Sequence, residues 1–64
     1  MKNELSTREK EVVKELSLGK SNEEIAKSLC VSINTVKTHL SRSCKKTKAK
    51  NRTELVVKYL NKEL

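Results

Sequence analysis

Four short polar motifs divide this 64-residue chain, and each is typical of the first residues of an α-helix. Three of them place a serine or an asparagine three residues before a glutamate, beginning at Ser6, Ser21 and Asn51. Ser32 offers a fourth N-cap, without the glutamate. Because the chain has no proline and a single glycine, little else in it interrupts a helix. The sequence therefore predicts four helices joined by short turns.

Apolar residues recur at helical spacing after each cap, which places them on one face of each predicted helix. We expect helices at about residues 7–18, 22–30, 33–47 and 52–62, in an all-α fold that forms one domain over residues 1–64. Gly19 suits the left-handed position that ends a helix. The residues expected to face the core are Val12, Val13, Leu16, Ile25, Ala26, Leu29, Val36, Leu40, Cys44, Leu55, Val56, Tyr59 and Leu60.

Composition excludes several classes of protein. A chain of this length buries only about 60% of its unfolded surface, and just 34% of its residues are hydrophobic. No apolar run approaches the roughly 20 residues that span a bilayer, and the first residues do not resemble a signal peptide. We therefore expect a cytoplasmic protein with no membrane partner.

The reactive side chains do not form a catalytic or metal-binding set. Cys30 and Cys44 are too few for a disulfide framework, and a single histidine cannot complete a zinc site with them. We expect both cysteines to be small, buried or half-buried apolar residues. The sequence thus predicts a protein that is not an enzyme and has no cofactor and no metal.

Positive charge is concentrated in the second half of the chain. The 15 basic and 8 acidic residues give a net charge of +7. Residues 1–29 are balanced, and no acid occurs between Glu24 and Glu54. A basic run of this kind is either a solvated surface or a site for a polyanion such as nucleic acid.

The segment Cys30-Val31-Ser32 is a three-residue turn between a short helix and a long basic one, which is the layout of a helix-turn-helix. Ala26 is small enough to let the two helices approach closely. Cys30 stands where such turns usually have glycine, so it either keeps a right-handed backbone or carries about 1 kcal/mol of strain. An ordinary helical hairpin with the same apolar spacing is the alternative.

The third predicted helix has Thr35 where the other three have glutamate, which leaves the positive end of its dipole free to face phosphate. Its polar face can reach base edges and phosphates in a major groove. The predicted base contacts are Asn34, Lys37, Thr38 and Ser41. The predicted phosphate contacts are Ser21, Asn22, Thr35, His39, Arg42, Lys45, Lys46, Lys48 and Lys50, and Arg52 continues the basic surface. His39 is open to two other interpretations, a packing residue or a pH-sensitive site.

Four motifs together resemble the LuxR/GerE-type DNA-binding domain of bacterial transcription regulators. They are Leu5-Ser6-Thr7-Arg8-Glu9-Lys10-Glu11-Val12-Val13, Gly19-Lys20-Ser21-Asn22-Glu23-Glu24-Ile25-Ala26, Thr35-Val36-Lys37-Thr38-His39 and Asn51-Arg52-Thr53-Glu54-Leu55-Val56. The resemblance covers residues 5 to about 60. It implies double-stranded DNA as partner, base contacts by Lys37, Thr38 and Ser41, and dimerisation through the fourth helix.

The chain departs from the family pattern before the fourth helix. The family often has an apolar residue followed by Lys-Leu-Gly-Val, whereas this chain has Ser43 and then Lys46-Thr47-Lys48-Ala49. Two large aliphatic side chains and a turn glycine are therefore missing, and at roughly 1.5–3 kcal/mol per side chain we expect a weak seam between helices 3 and 4. Cys44 is expected to fill part of the gap.

A second apolar shoulder on the fourth helix is formed by Val57, Leu60 and Leu64. It either covers helix 1 or forms a two-fold contact that makes the protein a homodimer on DNA. Family members usually carry this domain behind a regulatory domain, so the chain is a stand-alone regulator or a fragment. Met1-Lys2-Asn3 favours a natural start.

Two alternatives to this assignment remain. The fourth region of a sigma factor shares the four-helix plan, although the Asn51 cap motif argues against it. A protein-interaction module could dock its basic face on an acidic partner such as RNA polymerase or an inhibitor. RNA is a poorer candidate partner, because the basic region has no aromatic residue to stack on unpaired bases.

Overall fold

The computed structural model describes residues 4–63, and within that range the chain forms four helices and no strand. Helix α1 spans Thr7–Ser17, α2 spans Asn22–Leu29, α3 spans Ile33–Thr47 and α4 spans Arg52–Leu60. The all-α prediction is confirmed, with α1, α2 and α4 ending one or two residues earlier than expected. None of the helices in this part of the chain is long and apolar enough to cross a membrane.

Each helix begins at its predicted N-cap. The cap side chain accepts the backbone N–H of the third helical residue in all four cases, from Ser6, Ser21, Ser32 and Asn51. In α1 and α2 the glutamate at that third position also accepts the N–H of the cap residue, at 2.8 Å. In α4 the carboxylate of Glu54 instead accepts the N–H of Lys50, at 2.7 Å. The starts of the helices are therefore fixed by local hydrogen bonds.

A residue with a left-handed backbone follows each of the four helices, including Lys62 (φ 59°) just beyond α4. Gly19 has φ +85° after α1, as expected, while Cys30 (φ 58°) and Lys48 (φ 62°) cap α2 and α3. Cys30 thus adopts the strained alternative, which costs about 1 kcal/mol. The expectation that Cys30 is buried or half-buried is wrong, because the residue lies in the turn beyond the helix and is exposed. Cys44 is half-buried, and burial raises the pKa of its thiol.

The core lies where α1 meets α3 and α4 and where α2 packs on α3. Its buried hydrophobic residues are Leu5, Val12, Val13, Leu16, Ile25, Ala26, Val36, Leu40, Ala49 and Leu55. Leu60 was expected to face this core and is instead 62% exposed. It is the last residue of α4 and lies about 100° around the helix from Tyr59, which packs against the core.

One residue on the buried side of α3 is a serine. Ser43 is 0% exposed, and its hydroxyl donates to the carbonyl of His39 at 2.7 Å. The Thr47 hydroxyl in turn donates to the Ser43 carbonyl at 2.8 Å. These hydroxyls therefore donate within α3 itself and not to α4. Ala49, in the connection from α3 to α4, belongs to the hydrophobic core.

An ion pair joins the first turn of α1 to the last turn of α3. The side chain of Glu9 is only 3% exposed, and its Oε1 accepts from Lys46 Nζ at 2.7 Å and from the Ser6 N–H at 2.8 Å. Burial alone raises the pKa of Glu9, but the hydrogen bonds from Lys46 and Ser6 outweigh it and hold the pKa below its ordinary value of 4.5. The carboxylate is therefore ionised and serves both helices.

Replacing Lys48 by glycine should stabilise the protein. A lysine at φ 62° carries the steric penalty of the left-handed region, whereas glycine does not. We expect Lys48→Gly to raise the free energy of unfolding by about 1 kcal/mol, or the melting temperature by roughly 4–8 °C. Lys48→Ala is the matched control, because it removes the same charge and keeps the penalty. An equal melting temperature for the two variants would contradict this explanation.

Replacing Glu9 by glutamine should destabilise the protein at neutral pH. The substitution leaves Lys46 without its counterion, and we expect a loss of about 1–3 kcal/mol in urea unfolding. Because the folded-state pKa of Glu9 is lowered, its contribution is complete above the ordinary value of 4.5 and disappears as the pH falls through the folded-state pKa. The difference between the two proteins should therefore shrink in acid.

The difference between wild type and variant isolates Glu9 from other carboxylates. The hydrogen bond from Lys20 lowers the pKa of Glu15, and that from the Ser21 backbone lowers the pKa of Glu24. Both groups remain in the two proteins and cancel when the curves are subtracted. A difference that stays constant from about pH 7 to about pH 3 would contradict the assigned role of Glu9.

Candidate nucleic-acid interface

Helices α2 and α3 form the predicted helix-turn-helix. The turn between them is residues 30–32, and the Val31 N–H closes it by donating to the Ala26 carbonyl at 2.9 Å. Ile25, Ala26 and Val36 are buried between the helices and the rest of the core, and Leu29 packs against it. The short helix therefore holds the long basic helix in a fixed position on the core.

The N-terminus of α3 differs electrostatically from the other three. Its first turn contains no acidic residue, whereas α1, α2 and α4 each have at least one glutamate there. Ser32 caps this end by accepting the Thr35 N–H at 3.1 Å, and the two hydroxyl oxygens lie 2.9 Å apart. The positive end of the α3 dipole is thus free of a carboxylate, as the sequence predicted.

Four polar side chains form one exposed face of α3, which we call the reading face. They are Asn34, Lys37, Thr38 and Ser41, whose spacing of three, four and seven residues brings them together on the helix. Arg42 and Lys45 are exposed beside it. Within residues 4–63 neither these two nor Lys37 forms an ion pair, so the charges of this face are available to a partner.

His39 lies at the border between this surface and the core. The residue is half-buried, and its Nδ1 is buried without a hydrogen-bond partner among the described residues. One edge of the ring therefore packs inward while the other edge meets solvent. This arrangement is compatible with both packing and a phosphate contact, and the choice between them stays a prediction.

The four lysines predicted to contact phosphate after the reading face differ in their surroundings. Lys45, Lys48 and Lys50 are exposed, and Lys48 is the left-handed cap of α3. Lys46 is only 36% exposed, and its ammonium is held by Glu9. A phosphate contact by Lys46 would have to share that ammonium with a buried carboxylate, whereas the other three lysines have no such competitor.

The N-terminus of α2 carries the other two predicted phosphate contacts. Ser21 is exposed, and both its N–H and its hydroxyl oxygen are used in the capping box with Glu24. Asn22 is half-buried, and its Oδ1 has no hydrogen-bond partner among the described residues. Glu23 and Glu24 place two negative charges in the same turn. A phosphate would meet repulsion here that it does not meet at α3.

The apolar shoulder of α4 is exposed where the structure describes it. Val57 is 48% exposed and Leu60 is 62% exposed, so these residues do not bury themselves against α1. Leu64, the third predicted member, lies outside the described residues. Two aliphatic side chains on one exposed helix face thus remain for a contact with another molecule.

Sequence reasoning missed the burial of Glu9 and its pairing with Lys46, 37 residues away. The helical spacing did contain a signal, because Glu9 stands four and seven residues before Val13 and Leu16 on the same face. The structure also places no three His, Cys, Asp or Glu side chains of residues 4–63 where they could share a metal ion.

Comparison with known proteins agrees with this geometry. The family model described as bacterial regulatory proteins of the luxR family matches residues 3–59. The chain is 56% identical over 52 residues to the probable csgAB operon transcriptional regulatory protein of Salmonella typhimurium and to the CsgBAC operon transcriptional regulatory protein of Escherichia coli. Each match covers 81% of this chain and 24% of the relative.

A Bacillus subtilis relative, the uncharacterized transcriptional regulatory protein YhcZ, is 46% identical over 65 residues, covering 95% of this chain and 30% of its own length. The chain thus spans about a quarter to a third of the curated relatives it matches. No solved structure matches it significantly. Since the family model covers nearly the whole chain and the fold contains the expected helix-turn-helix, the chain belongs to the luxR family of DNA-binding transcription regulators.

Proposed function

We propose that the chain binds double-stranded DNA sequence-specifically by inserting α3 into the major groove. The observation that carries this proposal is the reading face, whose four polar side chains are exposed together next to a helix N-terminus without acid. Lys37 is suited to the O6 and N7 acceptors of guanine, and Asn34 to adenine. Thr38 and Ser41 have shorter side chains that contact whichever bases lie nearest.

Phosphate contacts around the reading face would set its position on the duplex. We assign this role first to Arg42, Lys45, Lys48 and Lys50, which are exposed, and to Thr35 and His39 at the edge of the face. Ser21, Asn22 and Lys46 are secondary, because carboxylates lie beside each of them. Such contacts supply affinity that depends on salt and carry little sequence information.

We further propose that two copies bind one site, with Val57, Leu60 and Leu64 forming a two-fold contact. The support is the exposure of Val57 and Leu60 on α4, the helix through which the resemblance to the LuxR/GerE-type domain implies dimerisation. The patch is small, and each copy has a net charge of +7, so we expect a monomer in solution at micromolar concentration. The duplex neutralises this charge and brings the two copies together.

The biological role we propose is regulation of transcription in the bacterial cytoplasm, at the nucleoid, with the four helices acting as one DNA-binding unit. The relatives named for the csgAB and CsgBAC operons support a role in controlling particular genes. A direct contact with RNA polymerase is the competing use of the basic surface. It requires positive charge but not a particular residue such as Lys37.

The substitutions Lys37→Ala and Lys45→Ala should separate base reading from phosphate binding. A duplex selected from a random library and a scrambled duplex would be titrated by fluorescence anisotropy over a salt series. We expect Lys37→Ala to weaken the selected duplex by about 1–3 kcal/mol and to reduce discrimination. Lys45→Ala should weaken both duplexes about equally and reduce the salt slope by about 1.

Both lysines are exposed, so circular dichroism should show an unchanged fold in the two variants. If Lys37→Ala and Lys45→Ala weaken the two duplexes to the same extent, the reading face does not specify sequence. Equal binding of selected and scrambled duplexes by the wild type would favour the protein-interaction alternative instead.

A charged residue in the proposed two-fold contact of α4 should prevent cooperative binding by two copies. We expect Val57→Asp to lower affinity for a duplex with two half-sites by about tenfold or more, since an aspartate would be buried in the contact. The ratio of full-site to half-site affinity isolates this effect, because the altered net charge acts on both duplexes. Ultracentrifugation of the free wild type should show a monomer, and a stable dimer at low micromolar concentration would contradict the proposal.

A further inference from the structure

A groove with an apolar floor runs between α1 and the C-terminal end of α4. We call it the α1–α4 groove, and its volume is about 580 Å³, within the range of protein ligand sites. Leu5, Tyr59 and Leu60 provide its apolar floor, and Leu60 is 62% exposed. The reading face contributes no residue to the lining. This surface is therefore available when α3 is occupied.

Three lysines surround this floor. Lys10 and Lys14 lie four residues apart on α1, and Lys62 lies just beyond α4. Within residues 4–63 none of the three forms an ion pair. The acidic residue in the lining, Glu11, is paired with Arg8 at 3.4 Å. The rim is thus positively charged, and its charges lack partners among residues 4–63.

We propose that the α1–α4 groove binds an amphipathic helix of an acidic partner protein. Apolar side chains of that helix would cover Leu60 and Tyr59, while its carboxylates would face the three lysines. On α1 the lining residues run from Thr7 to Lys14, which is about 11 Å and matches two turns of a helix. This inference does not depend on the proposed DNA function.

Other occupants match the groove less well. A second copy of the chain has a net charge of +7 and would add positive charge to the lysine rim. A duplex has the right charge, but its phosphates would leave the apolar floor without a partner. An acidic amphipathic helix is the occupant that satisfies both the floor and the rim.

Leu60 also belongs to the proposed dimer patch, so the groove and that patch share one edge. The acidic helix and the second copy would therefore compete for Leu60, while Val57 lies outside the groove lining. A partner bound in the groove would oppose assembly on a two-half-site duplex and leave binding to a single half-site unaffected.

The test uses the full chain and a fluorescein-labelled helical peptide of about 14 residues, with leucines at every third or fourth position and glutamates between them. Two further peptides serve as probes of specificity: one has lysine at every glutamate position, and the other is a scramble of the same composition. Anisotropy gives the affinities, and amide chemical shifts identify the site. We expect the acidic peptide alone to bind and to shift Leu5, Lys14 and Leu60 but not Lys37.

Matched variants assign the binding energy to the groove. Lys14 and Lys27 are the basic residues in the last turns of α1 and α2, and both are exposed. We expect Lys14→Gln to weaken peptide binding by about 2- to 5-fold and Lys27→Gln to leave it unchanged. For the floor, Leu60→Ser should weaken binding by about tenfold, whereas Leu18→Ser, at an equally exposed leucine outside the groove, should not.

Three results would overturn the proposal. They are no binding of the acidic peptide at millimolar concentration, equal binding of the lysine peptide, and displacement of the peptide by a half-site duplex, which would assign these lysines to phosphate. Because the peptide is first titrated without DNA, failure here is distinguishable from failure of sequence-specific DNA binding. If the chain distinguishes the selected from the scrambled duplex but does not bind the peptide, only the groove proposal is rejected.

Discussion

The last turn of α3 is tied to the first turn of α1 by the ion pair between the buried carboxylate of Glu9 and the half-buried Lys46. The pair lies at the C-terminal end of α3, while the contacts of Ala26 and Val36 with the core hold the N-terminal half. The two ends of the long helix are thus fixed by different forces, one ionic and one hydrophobic. Glu9 is itself fixed by the Ser6 N–H, so the cap that starts α1 also determines where the last turn of α3 lies.

An ion pair that holds two helices together matters in a chain with so little apolar surface. The core contains no aromatic side chain except the half-buried Tyr59, and its largest fully buried residues are aliphatic. The ion pair is strengthened by the low exposure of the Glu9 carboxylate and by the Ser6 N–H, its second hydrogen-bond donor. Lys46 is one of the nine basic residues of the second half, and its charge is used within the fold. The basic residues around the reading face remain free to bind a ligand.

Much of this architecture was predictable from the sequence because it is local. The caps at Ser6, Ser21, Ser32 and Asn51 each act within three residues, and all four starts are confirmed. Errors arose where tertiary context decides. Leu60 follows the apolar spacing of α4 but reaches the end of the helix where no neighbour covers it, and the thiol of Cys30 lies outside the packed helices.

In the candidate site, too, local features could be predicted from the sequence and tertiary contacts could not. The exposure of the reading face could be predicted from its spacing opposite Val36 and Leu40, since the period of a helix determines both faces together. The ion pair of Lys46 could not, because no local rule connects residues 37 positions apart. The α1–α4 groove likewise depends on how two helices are placed. In the sequence, only the apolar residues Tyr59 and Leu60 indicate that α4 has such a surface.

The buried serine of α3 has a consequence for how the native state opens. Since the Ser43 hydroxyl donates within its own helix, separating α4 from α3 breaks no hydrogen bond of that side chain. Because α4 packs on two helices and α3 packs on three, we expect the amide hydrogens of α4, the helix of the proposed two-fold contact, to exchange with solvent at a lower free energy than those of α3. A copy bound on α4 would slow that exchange, so assembly on DNA and completion of the fold become one cooperative event.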